Sequence, residues 1–474
     1  MVVGEIAEEK DVVVIGGGPG GYQAAIRAAQ LGRKVTLIEK ENVGGVCLFT
    51  GCIPSKLFAE AGKKRSSLNS LSRLGIAVRE DSFDLSVLQS TKQKVIAQLQ
   101  SGIEKLIHEN RIERIKGSAY FLANDRIGVE SGHTFSIFRF SSAIIAAGCS
   151  IAGTKESEDH RLLDYESIYA LQEVPKHLAV IGDDYLALEA ASSFQQLGAK
   201  VTLVVEKEDF HFEASINKEL KRIFKKRNIK MHFNQKVQQI DSNEEEIKIV
   251  LEGEDGQTSS LLASHMVKAA SREPNSFHLG ADRLKMKTGK NGHILINDAC
   301  QTSIEGIYAV GDITEGPALA VKAIKQGKVA AEVIAGCSAE YDGRFLPLIL
   351  HTNPPVSSCG LTEDEAKEMY KNSRTASFPL AALGISAVTG NREGMVTVII
   401  DEATDVLLGL HAIGEGAVEL AASSVLALEM AGRTEDLTFG LYAHPSVSEG
   451  LLEAVEALTG KSIHLAAGQS KINV

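Results

Sequence analysis

One order of elements occurs twice in this chain and constrains its fold more than any other feature: strand, glycine-bearing turn, helix, strand. The first copy runs from Asp11 to Lys40, where DVVVI reads as a buried strand, GGGPGG as the turn, YQAAIRAAQLG as an Ala-rich helix and KVTLIEK as a second strand. The second runs from His177 to Glu206, as HLAVI, GDDYLA, LEAASSFQQLG and AKVTLVVE. Two copies of one supersecondary unit predict two dinucleotide-type α/β domains rather than a short-period solenoid. At 474 residues the chain is too long for a single core, and about three domains are expected.

Between the copies, Lys56 to about Ile115 reads as helical, and SSAIIAAG before Cys149 reads as a buried strand. Residues 208–270 carry a charged helix, Asn217–Lys226, and then strand-like segments such as Glu246–Leu251. IYAVGD at 307–312 is another buried strand ending in an acidic turn, with a helix expected from about Leu319 to Ile334. After Phe345 the pattern changes to strands such as MVTVII and LLGLHAI, followed by helices, which reads as a separate C-terminal domain.

Gly16, Gly18 and Gly21 form GxGxxG between a strand and a helix. The first glycine permits the tight turn, the second lets backbone approach a pyrophosphate, and the third lets helix and strand pack closely. The helix N-terminus adds N–H groups and a favourable dipole for phosphates. Glu39, at the end of the next strand, can accept both ribose hydroxyls. Dinucleotide binding is the expectation.

The formal net charge of −11 argues against nucleic acid and anionic membrane as partners. Met1 to Lys10 has neither a basic nor an apolar stretch, so no signal peptide is predicted, and a cytoplasmic location is expected. The six cysteines do not form a secreted disulfide framework, since only Cys47 and Cys52 are close. The other four offer no spacing for a zinc site, and no metal is expected.

The close pair lies in GGVCLFTGCIPSK, Gly44 to Lys56. Pro54 marks the start of a helix, so Cys52 is placed near a helix N-terminus, where the reactive thiolate is favoured. Lys56, one turn on, adds positive charge. Two cysteines five apart can close a small ring reversibly, which suits thiol–disulfide exchange.

This block resembles the GGTCxNxGCIPSK signature of the pyridine nucleotide–disulfide oxidoreductases, and within them the dihydrolipoyl dehydrogenases. The resemblance implies that Cys47 is the interchange thiol meeting the dithiol substrate. Cys52 would face the flavin of FAD in a charge-transfer complex, with Lys56 near the reactive flavin nitrogen. Gly45 and Gly148 would also lie against the cofactor. GIYAVGD at 306–312 is similar to the family's second FAD motif, with Gly311 beside Asp312 and Asp312 binding the ribityl chain. Without the family, Asp312 reads equally well as a helix cap or turn residue. LAVKA at 319–323, which includes Ala320, resembles the segment against the flavin pyrimidine edge, with Val321 where family members often carry histidine.

AHPSVSE at 443–449 resembles the family's HPTxSE, which makes His444 the acid–base group and Glu449 its orienting carboxylate. Read alone, a histidine before proline is more often a surface or packing residue. Tyr442 stands where the family commonly has another histidine, and no catalytic role is assigned to it. In the family the His–Glu pair serves the partner subunit's disulfide, so a homodimer is implied.

The whole resemblance implies an α/β fold with two Rossmann-like domains, for FAD and NAD, and a C-terminal α+β dimerisation domain. Residues 1–149 with 276–345 would form the FAD part, 150–275 the NAD-like part and 346–474 the dimerisation part. The implied reaction oxidises protein-bound dihydrolipoamide with NAD⁺ as acceptor, on the lipoyl-bearing acyltransferase of a 2-oxo acid dehydrogenase complex.

The second glycine turn departs from the family's GGGYIG, reading Gly182-Asp183-Asp184-Tyr185-Leu186-Ala187. Asp184 takes the place of the second glycine, where a side chain obstructs the pyrophosphate and a carboxylate repels it. Two like unit charges about 4 Å apart cost roughly 4 kcal/mol at an effective dielectric near 20, on the order of a thousandfold in binding. The family's ribose-binding acid falls on Val205, with Glu206 one residue late and so on the other face. Ser271 replaces a glycine of the family's VGRxPN segment. Tyr185, which in the family covers the flavin where nicotinamide docks, and Glu189, which pairs with the lysine at Lys56, are both kept. Two alternatives follow: a related oxidoreductase with weak or no NAD binding that uses a quinone or small redox protein, and a docking subunit without turnover.

Overall fold

Val12, Val13, Val14 and Ile15 are all buried, the signature of a strand covered on both sides. In the computed structural model, which describes residues 7–78, 82–151, 159–268 and 272–465, they form the inner end of strand Glu8–Ile15. This strand pairs in parallel with Val35–Glu39 on one side and Thr134–Ile145 on the other. Glu113–Lys116 extends the sheet beyond Val35–Glu39, and Ile307–Ala309 pairs with the far end of Thr134–Ile145. The near half of Thr134–Ile145 instead carries an antiparallel hairpin, Ser118–Ala123 and Arg126–Ser131. Val12 and Val14 pack toward Ala24, Ala25 and Ala28 of the first helix, while Val13 and Ile15 pack toward Phe121 and Ile127 of the hairpin.

Helix Pro19–Gln30 lies against helix Ala320–Ile334. Their approach depends on Gly327, where a Cβ would sit 2.4 Å from the carbonyl oxygen of Gly20. These elements belong to the first of two compact units, residues 1–54, 90–156 and 270–343.

The second unit comprises residues 55–89, 157–269 and 344–474. Its parallel sheet has the order Lys230–His232, Lys200–Val204, His177–Ile181, His265–Lys268, Leu162–Leu163. Alternation along these strands sorts their side chains to two faces. Leu178 and Val180 meet Leu188, Phe194, Leu220 and Phe224 of helices Tyr185–Gln196 and Ala214–Lys226. Ala179 and Ile181 meet Ile247, Ile249 and Leu251 from a three-stranded antiparallel sheet, Gln235–Ser242, Ile247–Gly253 and Thr258–Ala263. A five-stranded antiparallel sheet follows, in which the expected MVTVII and LLGLHAI strands are the neighbours Gly394–Asp401 and Leu407–Gly414. Helices Ala417–Glu429 and Glu449–Ala457 share a core with it.

One expectation needs correction. Lys56 to Ile115 is not continuously helical: helix Cys52–Ser67 tightens into a 3-10 segment, Leu68–Leu74, and stops at Gly75, whose φ of 76° is left-handed. The second helix is Leu85–Glu109, and Glu113–Lys116 is already a strand of the first sheet. Among the described residues no helix is long and apolar enough to cross a membrane.

Candidate active site

In the first unit, register places three chain exits at one edge of the sheet. Ile15 pairs with Ile145, and Ile145 with Ala309, so Gly16, Gly148 and Gly311 all follow the carboxyl ends of adjacent strands. That edge is where ligands of open α/β sheets bind. Gly16 takes φ 104°, and a Cβ there would lie 2.3 Å from the carbonyl oxygen of Ala146. Gly18 is the helix N-cap and has no capping side chain, and a Cβ on it would meet nothing within 4 Å. The turn is therefore open to a phosphate, with first-turn N–H groups unclaimed by a side-chain cap.

Glu39 ends strand Val35–Glu39 with its carboxylate aimed at the same turn: Oε2 accepts the Gly17 N–H at 2.6 Å and Oε1 the Glu41 N–H at 2.8 Å. Gly45 closes onto the turn, since a Cβ there would stand 2.8 Å from the Gly18 Cα. Gly21 packs harder still, with its Cβ position 1.9 Å from the Gly16 carbonyl oxygen. Gly21→Ala is thus expected to force helix and turn apart, so the purified chain should have lost most of its FAD. The ratio of flavin to protein absorbance measures this, and a ratio equal to wild type would contradict the cradle.

Cys47 sits in the short helix Gly45–Phe49, and Cys52 is the first residue of Cys52–Ser67, two residues ahead of Pro54. The five-residue step between them is drawn into a turn by Val46, whose carbonyl oxygen accepts the Thr50 and Gly51 N–H groups at 3.0 and 2.7 Å. Gly51 leaves little room there, since a Cβ would approach that same oxygen to 3.1 Å. Both cysteines are half-buried.

Asp312 lies in the 3-10 turn Gly311–Ile313, where Gly311 N–H donates to Gln326 Oε1 at 2.8 Å. Arg272 reaches Asp312 at 3.3 Å, yet burial dominates and pushes the Asp312 carboxyl above its ordinary value. The Cys149 thiol donates to the Asp312 carbonyl oxygen at 3.0 Å, and burial pushes its pKa up to about 11, which disfavours the reactive thiolate there. Lys322, only 1% exposed, donates to the Thr314 and Glu315 carbonyl oxygens at 3.1 and 2.6 Å. Its burial holds the ammonium below its usual range. Ala320 opens helix Ala320–Ile334, whose N-cap Leu319 has no capping side chain. The open turn, the ribose-height carboxylate and this second acidic turn fit FAD.

In the second unit, Glu189 is fully buried in helix Tyr185–Gln196. It accepts Lys56 Nζ at 3.0 and 2.8 Å through its two oxygens, and Oε1 also accepts the His351 backbone N–H at 2.8 Å. Three hydrogen bonds from two donors make this buried carboxylate tolerable. Burial, with the Lys56 charge, holds the His351 imidazole below its usual range. Sequence reasoning missed His351, Arg272, Cys149 and Lys322. Only Lys322 left a trace, as a lysine on the apolar side of its helix.

His444 Nδ1 pairs with Glu449 Oε1 at 2.8 Å, and Glu449 Oε2 accepts the Ser446 N–H at 2.8 Å. Tyr442 donates to the Leu437 carbonyl oxygen at 2.8 Å, a structural contact. The second glycine turn keeps the backbone of the first: Gly182 has φ 143° and donates to Val204 as Gly16 does to Ile38. Its side chains differ. Asp184 caps helix Tyr185–Gln196 by accepting the Ala187 N–H at 2.9 Å. Asp183 is paired with Lys207 at 3.2 Å and His211 at 3.0 Å. Val205 is 0% exposed. Ser271 lies outside the described residues.

Comparison with known proteins joins these parts. Residues 10–327 match the model of the pyridine nucleotide-disulphide oxidoreductases, and residues 346–455 match the dimerisation domain of the same family. A dihydrolipoyl dehydrogenase of Geobacillus stearothermophilus is 35% identical over 468 residues, 98% of this chain and 99% of that protein. The mitochondrial dihydrolipoyl dehydrogenase of Pisum sativum is 34% identical, over 97% of this chain and 93% of its own. Two solved structures share the fold. One is LpdA of Mycobacterium tuberculosis, with TM-score 0.88 and 23% identity, over 95% of this chain and 99% of that one. The other is the flavoprotein disulfide reductase RclA of Escherichia coli, with TM-score 0.83 and 22% identity, over the same shares. Members of the family work with FAD and NAD(H). Since the matches cover nearly all of the chain from residue 10 to 455, it belongs to the pyridine nucleotide-disulphide oxidoreductase family and is a flavin disulfide oxidoreductase.

Proposed function

We propose that the chain oxidises a dithiol, protein-bound dihydrolipoamide, through Cys47 and Cys52 and passes the electron pair to FAD. The cysteine pair carries this reading, held in a turn with Cys52 opening a helix. A substrate thiolate attacks Cys47 Sγ of the oxidised pair, forming a mixed disulfide and releasing Cys52 as thiolate, which the helix N-terminus favours. The second substrate sulfur then attacks the first, closing the lipoyl disulfide and releasing Cys47. His444, oriented through Nδ1 by Glu449, takes the proton of the attacking substrate thiol, and the proton of the second substrate thiol goes to Cys47 as it is released. FAD, when bound, would supply the two-electron acceptor for Cys52, and Glu189 holds the Lys56 ammonium at 2.8 and 3.0 Å.

His444 and Glu449 would serve the cysteine pair of a second copy of this chain, in keeping with the match to a dimerisation domain. The names of the relatives extend the reading to NAD⁺ as acceptor and to the lipoyl-bearing acyltransferase of a 2-oxo acid dehydrogenase complex as partner. A second reading keeps the dithiol half but gives the electrons to a quinone or small redox protein. Asp183 and Asp184 favour it, because the second turn does not fit a dinucleotide.

Rapid anaerobic mixing tests the proposal. Dihydrolipoamide should bleach the flavin of the oxidised full chain in a single turnover, and an unbleached flavin would end the reading. NAD⁺ added next should restore the absorbance if it is the acceptor and leave it bleached if the second reading holds.

A further inference from the structure

The two glycine turns of this chain are internal controls for each other. Both leave a parallel strand through a left-handed glycine, and both enter a helix of twelve residues. They differ in who satisfies the helix N-terminus. In the first, Gly18 contributes no side chain, so the turn is left for a ligand phosphate. In the second, the Asp184 carboxylate already accepts the Ala187 N–H at 2.9 Å. A dinucleotide would have to displace this cap, and its pyrophosphate would meet a fixed negative charge.

The surroundings reinforce the exclusion. Lys207, the cation that could draw a phosphate past the second strand, lies 3.2 Å from the Asp183 carboxylate, with the His211 ring 3.0 Å from the same oxygen. The strand offers no acid to a ribose, since Val205 is buried and its N–H and carbonyl are tied to His232 and Gln235. A carboxylate has thus taken the place that a ligand phosphate would take in the first turn.

We propose that Asp184 is a specificity-determining residue that closes the second βαβ unit to pyridine dinucleotides, so that the flavin of this chain is not reached by NAD(H). The proposal deepens the second reading above and rests on the dithiol half of it.

The test is an anaerobic titration of the FAD-loaded full chain with NADH, NADPH and dihydrolipoamide, followed by flavin absorbance. Wild type, Asp184→Gly and Asp184→Asn are compared. Glycine removes both cap and charge, while asparagine keeps a capping oxygen and removes only the charge. Wild type should be bleached by dihydrolipoamide but not by millimolar NADH or NADPH. Asp184→Gly should gain NADH affinity on the order of a hundredfold, and Asp184→Asn part of that gain. Bleaching of wild type by either nucleotide at the concentrations that serve Asp184→Gly overturns the proposal. Should the glycine variant fail to fold, an unchanged NADH response in Asp184→Asn overturns it instead. The dihydrolipoamide arm is read separately: failure there in wild type removes the dithiol reading and leaves the nucleotide result standing on its own.

Discussion

Cys47→Ser should lower dihydrolipoamide oxidation by on the order of a thousandfold or more, because covalent capture of the substrate sulfur has no substitute in this site. The proposed route gives the two cysteines different work, and their serine variants should separate it. In Cys47→Ser, Cys52 remains at the start of helix Cys52–Ser67. Its thiolate can still lie beside the flavin, so a long-wavelength absorbance from that pair should appear without any dithiol and rise with pH as the thiol ionises. In Cys52→Ser, Cys47 can exchange with the substrate, but the electrons have no path onward; that variant should be as slow and show no long-wavelength band. Both should retain FAD, since neither cysteine belongs to the Gly16–Gly21 turn. Turnover within about tenfold of wild type in either variant would mean the barrier does not pass through the disulfide, and the proposed chemistry would fall.

What made the cysteine pair and the first cradle legible was locality. Gly16, Gly18, Gly21 and Glu39 belong to one βαβ unit, and each is demanded by backbone geometry that the spacing alone records. The break after Ser67 is masked by the helix-like spacing of Leu68, Leu71 and Leu74, although the Ser and Asn residues among them and Gly75 point to a stop. Glu189 shows the opposite limit. Its pairing with Lys56 is implied by resemblance, but its other donor is the backbone N–H of His351, and a backbone amide leaves no mark in sequence. Asp184 falls between. Its mismatch with the family is visible in the sequence, whereas its positive role as a helix cap rests on the Ala187 N–H that its carboxylate accepts. A residue that looks like damage to one site can be the ordinary solution to another problem, here the orphan donors of a helix start.

His444→Gln should lower kcat/KM for dihydrolipoamide by roughly a hundred- to a thousandfold, the usual worth of a positioned general base. The geometry makes the assignment specific. Glu449 spends one oxygen on His444 Nδ1 and the other on the Ser446 N–H, so the ring is held from one side and its Nε2 faces away from the carboxylate. The imidazole is 79% exposed, as expected of a group that acts outside its own fold. Burial pushes the Glu449 carboxyl up, but the hydrogen bonds from His444 and Ser446 outweigh it and leave the group below its ordinary value. The sign follows: a depressed carboxylate contributes its interaction above its unfolded value and loses it as pH falls through the folded one. Acid therefore releases the ring from the carboxylate that anchors it, and the rate falls with it. Glutamine at 444 removes the base and should flatten that acid limb, with FAD content and thermal stability unchanged. Glu449→Gln keeps the base but loses the charge that supports its protonated form, and should cost less, on the order of tenfold. An acid limb that survives in His444→Gln, together with a rate within a few fold of wild type, would place the proton transfer elsewhere.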